Sequence, residues 1–322
     1  MKYYPFELHT HTLHSDGSFT PDYLVRSAKK VGLNGIALTD HNTVSGHTQT
    51  LKSCNRHGLT FIPGIEWTTF YGHITVLGAG TIIDWRSVNP SNILEKAKEV
   101  QALDGCIGIA HPCRCGHPIC TGGSDSWGLS LKDYSAFTHY EIWSGMYPGS
   151  NTTNAVAINT YRLICDAGVK IACVYGRDWH RQGGDVYAMT FLGIDGSLSV
   201  DTALNAIKSR HTYISTGIII DGILKGNNKQ YQFGDIITEG DYRFAGRILN
   251  FDQYYIQKNN ISIEKVIIYS DHNTTYESAL DNNGSFSISF KASSSKYYQV
   301  VVVGSINGEK VDLALASPYF IC

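Results

Sequence analysis

The 322-residue sequence predicts an α/β fold, in which helices cover a sheet or barrel of parallel strands, followed by a small antiparallel β module. Three observations lead to this prediction. Short apolar runs alternate with helical patterns as far as about residue 217. Strand patterns dominate after that point, and Asp281-Asn282-Asn283-Gly284 is a strong hairpin signal between two of them. We therefore expect an α/β domain over residues 1–217 and a β module, a small sandwich, over residues 218–322.

The helix after Thr20 is the clearest element of the first part. Thr20 can cap it, Pro21 suits its first position and Gly32 can end it. Further helical patterns cover residues 93–103, 154–167 and 200–209. Strands are predicted by apolar runs at residues 35–39, 59–62, 106–110, 140–143 and 169–175.

The β module is predicted from period-two or continuous apolar runs. Pairing such strands needs only short turns, so an antiparallel arrangement is favoured. The role of this module is not indicated by its residues. The strands are expected at residues 218–223, 242–249, 265–269, 285–290 and 297–304.

Composition excludes some classes of function. Hydrophobic residues make up 43% of the chain, so a sizeable core can be buried. The net charge of −2 disfavours nucleic acid as a partner, other than as a nucleotide or short oligonucleotide. No apolar run approaches membrane-spanning length, and the first nine residues lack the apolar segment of a secretory signal. We expect a cytoplasmic protein without a membrane partner, and a homo-oligomer is left open.

Seven of the eight cysteines fall into two groups. Four of them lie in apolar surroundings and are expected to be small buried side chains: Cys54, Cys106, Cys165 and Cys173. Cys113, Cys115 and Cys120 instead cluster around His117. A zinc knuckle is one interpretation, but structural zinc sites usually use a second, distant pair of ligands, and none is visible here. Thiols on a loop are the favoured interpretation.

Histidines and carboxylates recur where successive predicted strands end. His9 and His11 are two residues apart on a predicted strand and so share one face. Taken singly, most of these residues have ordinary explanations; Asp40, for example, is expected to cap a helix. Taken together, they fall where the strands of an α/β barrel converge on one face, which is where active sites lie. The candidate metal ligands are His9, His11, Asp16, His41, Glu66, His73, His111, Asp178 and His180.

Nitrogen and oxygen ligands together suit zinc, manganese or iron. Six other histidines lack this placement and are expected to be bystanders: His14, His47, His57, His139, His211 and His272.

The motifs resemble, in order and spacing, the polymerase-and-histidinol-phosphatase (PHP) family of metallohydrolases over roughly the first two thirds of the chain. Runs such as Thr39-Asp-His-Asn-Thr-Val-Ser-Gly46 are similar to its carbaryl-hydrolase-like (CehA/McbA) branch. The motifs that carry the match are His9-Thr-His11, Ser15-Asp-Gly17, Thr39-Asp-His41, Pro63-Gly-Ile-Glu66, His73, His111-Pro112 and Asp178-Trp-His180.

The resemblance implies a distorted (β/α)7 barrel over residues 1–217 with two to three divalent metal ions. His9, His11, Glu66 and Asp178 would hold the first ion, and Glu66 would bridge to a second ion held by His73 and His111. Asp16, His41 and His180 would hold a third. The carboxylate at Asp16, where some relatives have histidine, favours two tightly bound ions.

The chemistry expected of such a site is hydrolysis of a small phosphomonoester or phosphodiester by attack of a metal-bound hydroxide on phosphorus. Glu66 and Asp178 are the expected catalytic residues. Arg114, Arg177 and Arg181 flank ligand positions and are expected to bind the substrate phosphate. Three alternatives stay open: cleavage of carboxylic or carbamic esters by the same site, a nuclease role, and a non-enzymatic metal-binding module.

Overall fold

The computed structural model describes residues 1–79, 83–114, 133–184, 186–271 and 275–322. Within these ranges the first part of the chain contains five helices and nine strands. The helices are α1 (Pro21–Lys30), α2 (His47–His57), α3 (Ile93–Ala102), α4 (Thr152–Asp166) and α5 (Val200–Lys208). The strands are β1 (Lys2–Glu7), β2 (Gly35–Leu38), β3 (Thr60–Thr69), β4 (Gly72–Leu77), β5 (Cys106–Ile109), β6 (His139–Ser144), β7 (Ala172–Gly176), β8 (Met189–Ile194) and β9 (Thr212–Ser215).

Helix α1 begins and ends as the sequence predicts. Thr20 adopts an extended conformation, and its side chain accepts a hydrogen bond from the backbone N–H of Tyr23 at 3.2 Å. Leu24 and Ala28, four residues apart, are fully buried against the sheet, whereas Lys29 and Lys30 are exposed. Gly32 follows in the left-handed region at a φ of +84°.

Two groups of parallel strands make up the sheet of the first part. Strands β1, β2 and β3 are parallel, as are β5, β6 and β7. Strand β4 is antiparallel to both of its neighbours, β3 and β5. The sequence analysis missed β4 because Phe70 and Tyr71 form a two-residue turn, which left no polar loop to mark a new strand.

The sheet curves until its two ends approach each other. Strand β8 is antiparallel to β1, and the Thr190 side chain on β8 bonds the backbone N–H and C=O of Tyr175 on β7, at 2.9 and 3.0 Å. Helix α5 contributes Leu204 and Ile207 to the apolar cluster enclosed by these strands. The fold is thus mixed α/β and rich in sheet, and the distorted (β/α)7 barrel stays a prediction.

Strands dominate the rest of the described chain, which has one short helix, α6 (Gln253–Lys258). Strand β18 pairs with β9, so part of this region continues the first sheet. Strands β11, β10, β13 and β16 form a second, antiparallel sheet. The strands are β10 (Ile218–Gly226), β11 (Lys229–Tyr231), β12 (Ile236–Ile237), β13 (Gly240–Asn250), β14 (Ile261–Ser270), β15 (Thr275–Ala279), β16 (Ser285–Ala292), β17 (Tyr297–Ile306), β18 (Glu309–Ala316) and β19 (Tyr319–Ile321).

The two sheets pack through one continuous hydrophobic cluster. Ile220 and Phe244 on the second sheet and Val266 and Val302 on the first belong to it, and all four are buried. This two-layer packing fits a small sandwich. The boundary between residues 217 and 218 stays a prediction, because the first sheet runs across it.

The turn predicted at Asp281 is present, but it does not close a hairpin. Its carboxylate accepts bonds from the backbone N–H groups of Asn283 and Ser285, at 2.8 and 2.9 Å. Strand β15 pairs with β14, whereas β16 pairs with β13 in the other sheet. The turn therefore carries the chain from one layer to the other. Among the described residues, no helix has the length and apolar character needed to cross a membrane.

Candidate metal centre

The loops after β1 and β7 carry five of the predicted ligands and are bonded to each other. Strand β1 ends at Glu7, so His9 and His11 lie just beyond it rather than on it as predicted. The backbone N–H of His11 donates to the carbonyl of Trp179, and that of Trp179 donates to the carbonyl of His9, both at 3.0 Å. These bonds place the imidazoles of His9 and His11 beside Asp178, and both imidazoles are fully buried.

Glu66 lies at the centre of the cluster. It is on β3, is fully buried, and its two carboxylate oxygens face different groups of histidines. Oε2 lies 3.1, 3.2 and 3.0 Å from nitrogens of His9, His11 and His41. Oε1 lies 2.6 and 3.0 Å from nitrogens of His73 and His111. This arrangement suits a carboxylate that bridges two cations, the role expected of Glu66.

Asp178 joins the first group of ligands. Its Oδ1 lies 3.0 Å from His11 Nε2 and 3.4 Å from His9 Nε2. Its Oδ2 accepts a hydrogen bond from the guanidinium of Arg114. The side chains of His9, His11, Glu66 and Asp178 can thus direct one atom each toward a common point.

Asp16 lies in a separate and more exposed group of candidate ligands. Its carboxylate lies 3.1 Å from His180 Nε2, 3.4 Å from His41 Nε2 and 3.7 Å from His11 Nδ1. About half of the Asp16 side chain is exposed, in contrast to the fully buried Glu66. His41 lies between the groups, because its Nδ1 faces Glu66 while its Nε2 faces Asp16.

Several buried polar atoms of the cluster have no hydrogen-bond partner within the protein. A buried polar atom without a partner is costly, so such atoms usually meet water or an ion. Imidazole nitrogens and carboxylate oxygens are the donors preferred by zinc, manganese and iron. The donor set therefore fits divalent metal. The atoms concerned are His9 Nε2, His11 Nε2, Glu66 Oε2, His73 Nε2, His111 Nδ1 and Asp178 Oδ1.

The charges of these groups are strongly coupled. Burial opposes the charged form of His9, but the carboxylates of Glu66, Glu141 and Asp178 prevail and raise its pKa well above the usual range. Burial likewise opposes the charge of Glu66, and the neighbouring imidazoles lower its pKa well below normal. In His11, the same balance raises the pKa to about 9. The carboxylates of the cluster thus favour a positive charge on His9 and His11, at the positions where cations would fit.

Two candidate ligand residues adopt a left-handed backbone conformation that residues with side chains rarely favour. The φ angle is +29° at His111 and +54° at Asp178. Such conformations cost roughly 1–3 kcal/mol and persist where the surroundings enforce them. At both positions the chain turns sharply at a strand end, which directs the side chain into the cluster.

Glu141 is a site residue that the sequence analysis missed. It lies on β6 and is buried, and its Oε1 is 2.7 Å from His9 Nδ1. Its Oε2 accepts the backbone N–H of His111 at 2.7 Å. A side chain at Gly176 would approach Glu141 Oε1 to 2.2 Å, so glycine is needed there. The sequence signal that could have identified Glu141 is its position within an apolar strand. An acidic residue buried there needs partners for its charge.

Asp40 does not cap a helix, contrary to the prediction. Helix α2 begins at His47, with Gly46 at its N-cap. The Asp40 carboxylate instead accepts bonds at 2.7 Å from the backbone N–H and the hydroxyl of Thr12 and from the hydroxyl of Ser15. Asp40 therefore holds the loop that carries His11 and Asp16.

The three predicted substrate arginines line a cleft of about 830 Å³ beside the cluster, together with Asp16, Asp178 and His180. Arg114 also donates to Ser144 Oγ at 2.8 Å. The Arg177 guanidinium is buried between the rings of Trp179 and Tyr187, with centroids at 4.1 and 4.8 Å. Arg181 is exposed at the rim.

The histidines expected to be bystanders have partners away from the ligands where they are described. His139 is fully buried and bonds Thr75 Oγ1 at 2.9 Å, and His47 bonds the Gly64 carbonyl at 2.7 Å. His14 bonds Ser45, His211 bonds Asp235 and His57 lies near Asp22. Of the cysteines and histidines considered in the sequence analysis, four lie outside the described ranges: Cys115, His117, Cys120 and His272. The zinc-knuckle alternative therefore stays untested.

Comparison with known proteins agrees with this geometry. Residues 7–137 match the PHP domain. An uncharacterised protein of Methanocaldococcus jannaschii is 29% identical over 185 residues, which cover 53% of this chain and 98% of that protein. The 5'-3' exoribonuclease Rnm of Escherichia coli is 35% identical over 81 residues, 24% of this chain and 28% of the enzyme. The 3',5'-nucleoside bisphosphate phosphatase of Chromobacterium violaceum is 30% identical over 113 residues, 32% of this chain and 39% of the enzyme.

The matches to the two enzymes thus span well under half of their length. Among solved structures, a two-domain protein from Bacteroides vulgatus containing a predicted PHP-like metal-dependent phosphoesterase is similar over 98% of this chain and 95% of its own, with 13% identity and a TM-score of 0.53. At that identity the likeness concerns the fold. The match to the PHP domain and the two enzymes support an enzyme that acts on ester bonds, and the matched segment, residues 7–137, carries the candidate ligands from His9 to His111.

Proposed function

We propose that the protein is a metal-dependent hydrolase of small phosphate esters, either phosphomonoesters or phosphodiesters. The observation that carries the proposal is Glu66, whose two buried oxygens face histidines on opposite sides. One carboxylate placed in this way can hold two cations close together despite their repulsion. Paired cations are a recurrent device for hydrolysing phosphate esters.

The candidate ligands divide into three groups, two of which include Glu66. His9, His11, Glu66 and Asp178 would hold the first ion, and Glu66, His73 and His111 the second. Asp16, His41 and His180 would hold a third, and the exposure of Asp16 favours looser binding there. Manganese, zinc or iron suits this mixture of nitrogen and oxygen donors. When bound, such ions would make water a better nucleophile near neutral pH and would withdraw negative charge from phosphoryl oxygens.

The protein's own groups would position the substrate. Arg114 lines the cleft next to Asp178, so its guanidinium can meet an anionic group beside the cluster. Arg181, at the exposed rim, can attract the substrate by its charge. Arg177 makes internal contacts with Trp179, Tyr187 and the Gly183 carbonyl. We expect Arg177 to shape the cleft wall as well as contribute charge.

Glu66 and Asp178 remain the residues proposed as catalytic. Both carboxylates lie inside the donor cluster, where their negative charge would balance cations and fix the position of nearby groups. Asp178 also connects the cluster to Arg114, which would link substrate position to ligand geometry.

Phosphate esters are favoured over carboxylic or carbamic esters by two of the named relatives, an exoribonuclease and a bisphosphate phosphatase. The names of both enzymes refer to cleavage of phosphate esters, and residues 7–137 of this chain, which contain His9, His11 and His41, match the PHP domain. The carbaryl-hydrolase-like branch, a cytoplasmic location and a homo-oligomer stay predictions.

A panel of substrates tests the proposal. Metal-loaded protein is assayed with a phosphomonoester, a phosphodiester and a carboxylic ester that share the same chromogenic leaving group. We expect release from a phosphate ester that is at least about a hundredfold faster than in the Glu66→Gln variant. Release from the carboxylic ester alone would replace the proposal with the carboxylic-esterase alternative.

A further inference from the structure

A second cleft, of about 290 Å³, opens at the tip of the β3–β4 hairpin. Its walls include three aromatic residues, Phe70, Tyr71 and Trp85, together with Thr68 and Arg86. This volume is near the lower end of the range typical of small-molecule sites. The cleft is separate from the arginine-lined cleft, with which it shares no lining residue.

Thr68 connects the aromatic cleft to the metal centre. Its hydroxyl lies 2.5 Å from Nδ1 of the candidate ligand His41, while Thr68 also lines the cleft. The backbone N–H of Thr68 donates to the side chain of Asn42 at 2.9 Å, and the Asn42 amide donates back to the Thr68 carbonyl at 3.3 Å. Across the hairpin, Thr68 is paired with His73. The hairpin tip is therefore fastened to two candidate ligands.

The turn itself does not require the aromatic side chain of Phe70. Thr69 holds the turn, because its hydroxyl donates to the Gly72 carbonyl at 2.8 Å and accepts the backbone N–H of Tyr71 at 3.1 Å. Phe70 is 75% exposed, and its ring stands nearly perpendicular to that of Tyr71, at a centroid distance of 5.4 Å. An exposed ring beside other rings next to a reaction site suits the stacking of a flat ligand.

The charge of the cleft favours a neutral ring over a second phosphate. Arg86 is bound to Asp84 through two hydrogen bonds, of 2.8 and 2.9 Å. This pairing offsets its positive charge at the rim. The arginine-lined cleft, which contains Arg114 and Arg181, is better suited to bind an anionic group.

We propose that the Phe70–Trp85 cleft is a subsite for a planar aromatic ring, such as a nucleobase, carried by the alcohol part of the phosphate ester. This inference rests on the proposed function. Phe70 lies two positions beyond Thr68 along the chain, a spacing of up to about 7 Å, which leaves room for a sugar between the ring and a phosphate at the metal centre. The substrate class is then a nucleoside phosphate or a related aromatic ester.

The test compares adenosine 5′-monophosphate with ribose 5-phosphate, which has the same phosphate and sugar but no base. In Phe70→Ala we expect KM for the nucleotide to rise about tenfold, the effect of losing one stacking contact. KM for ribose 5-phosphate and both kcat values should stay unchanged, and Phe70→Trp should restore nucleotide binding. Tyr254→Ala is the matched control, because Tyr254 is a 71% exposed aromatic residue on α6, outside both clefts.

Binding of adenosine, which has no phosphate to hydrolyse, gives a readout that is independent of activity. Calorimetry should show binding to the wild-type protein that is weakened about tenfold in Phe70→Ala and unchanged in Tyr254→Ala. Equal adenosine binding by the wild type and Phe70→Ala would overturn the subsite. Failure of the wild type to hydrolyse both phosphates would contradict the phosphomonoester form of the proposed function, while the adenosine titration would still decide the subsite.

Discussion

Replacing Glu141 by Gln removes the buried carboxylate that orients two candidate ligands without belonging to the donor cluster itself. Glu141 accepts one hydrogen bond from the His9 ring and one from the backbone N–H of His111, both at 2.7 Å. Glutamine keeps the shape but has only one acceptor oxygen, so its amide N–H₂ must face one of these two donors. His9 then loses the partner that fixes its tautomer, or His111 loses the bond that holds its strained backbone.

The size of the effect follows from that one lost bond. A hydrogen bond to a charged group contributes about 1.5–3 kcal/mol. Loss of an outer partner of a metal-binding histidine typically costs about 10- to 100-fold in metal affinity or activity. We therefore expect Glu141→Gln to bind divalent metal about 10- to 100-fold more weakly than the wild type. Because glutamine keeps the size and shape of the side chain, the fold should survive.

Titration of metal-stripped protein with zinc or manganese measures this effect, and circular dichroism checks the fold. Glu264→Gln is the control, because Glu264 is partly exposed and pairs with Lys310 at 3.2 Å, away from the cluster. Metal affinity of Glu141→Gln within about twofold of the control would refute the positioning role assigned to Glu141.

Three further predictions concern the same centre and its surroundings. Glu66→Gln should lower phosphate-ester hydrolysis by orders of magnitude with the fold intact, because two cations lose part of their shared neutralisation; turnover near that of Glu99→Gln, a surface control, would contradict this. Divalent metal at about 100 times its Kd should raise the free energy of unfolding by about 2.7 kcal/mol per site, measured by denaturant titration with and without chelator, and an unchanged midpoint would argue against a built site. Burial lowers the pKa of His139 from 6.5 to about 4. The neutral imidazole therefore makes its full contribution to the free energy of unfolding above pH 6.5, and this contribution is lost as the pH falls toward 4. The wild type should lose about 3 kcal/mol of stability relative to His139→Gln over that window, and parallel pH profiles would show that His139 is not held neutral.

The sequence predicted elements well where local signals and burial agree. Helix α1 is an example, because Thr20 and Gly32 mark its ends and Leu24 and Ala28 mark its buried face. Strand β4 was missed because its turn, Phe70-Tyr71, contains none of the usual turn residues. The turn at Asp281 was predicted, but which strands pair on either side of it depends on tertiary packing that local residues do not specify.

Most of the candidate ligands could be found from sequence because seven of the nine follow the ends of strands β1, β2, β5 and β7, whereas Glu66 and His73 lie on β3 and β4. The structure brings all nine of them into one cluster around Glu66, Asp16 and Asp178, although their metal-binding roles stay proposals. Residues that act through a ligand were harder to find. Glu141 contacts His9 across 132 residues of chain, and Asp40 contacts Thr12 across 28 residues, although Asp40 was expected to begin a helix. Only the folded arrangement distinguishes these roles.

Reconstitution of metal-stripped protein tests the central claim most directly, namely that the cluster around Glu66 holds divalent metals that hydrolyse phosphate esters. Manganese, zinc or iron is added back in steps, and each sample is assayed for bound metal by elemental analysis and for inorganic phosphate released from a phosphomonoester or for chromogenic alcohol released from a phosphodiester. We predict that at least two ions bind per chain and that product release returns with them. Binding of less than one equivalent, or full occupancy with no hydrolysis of either phosphate ester, would contradict the claim.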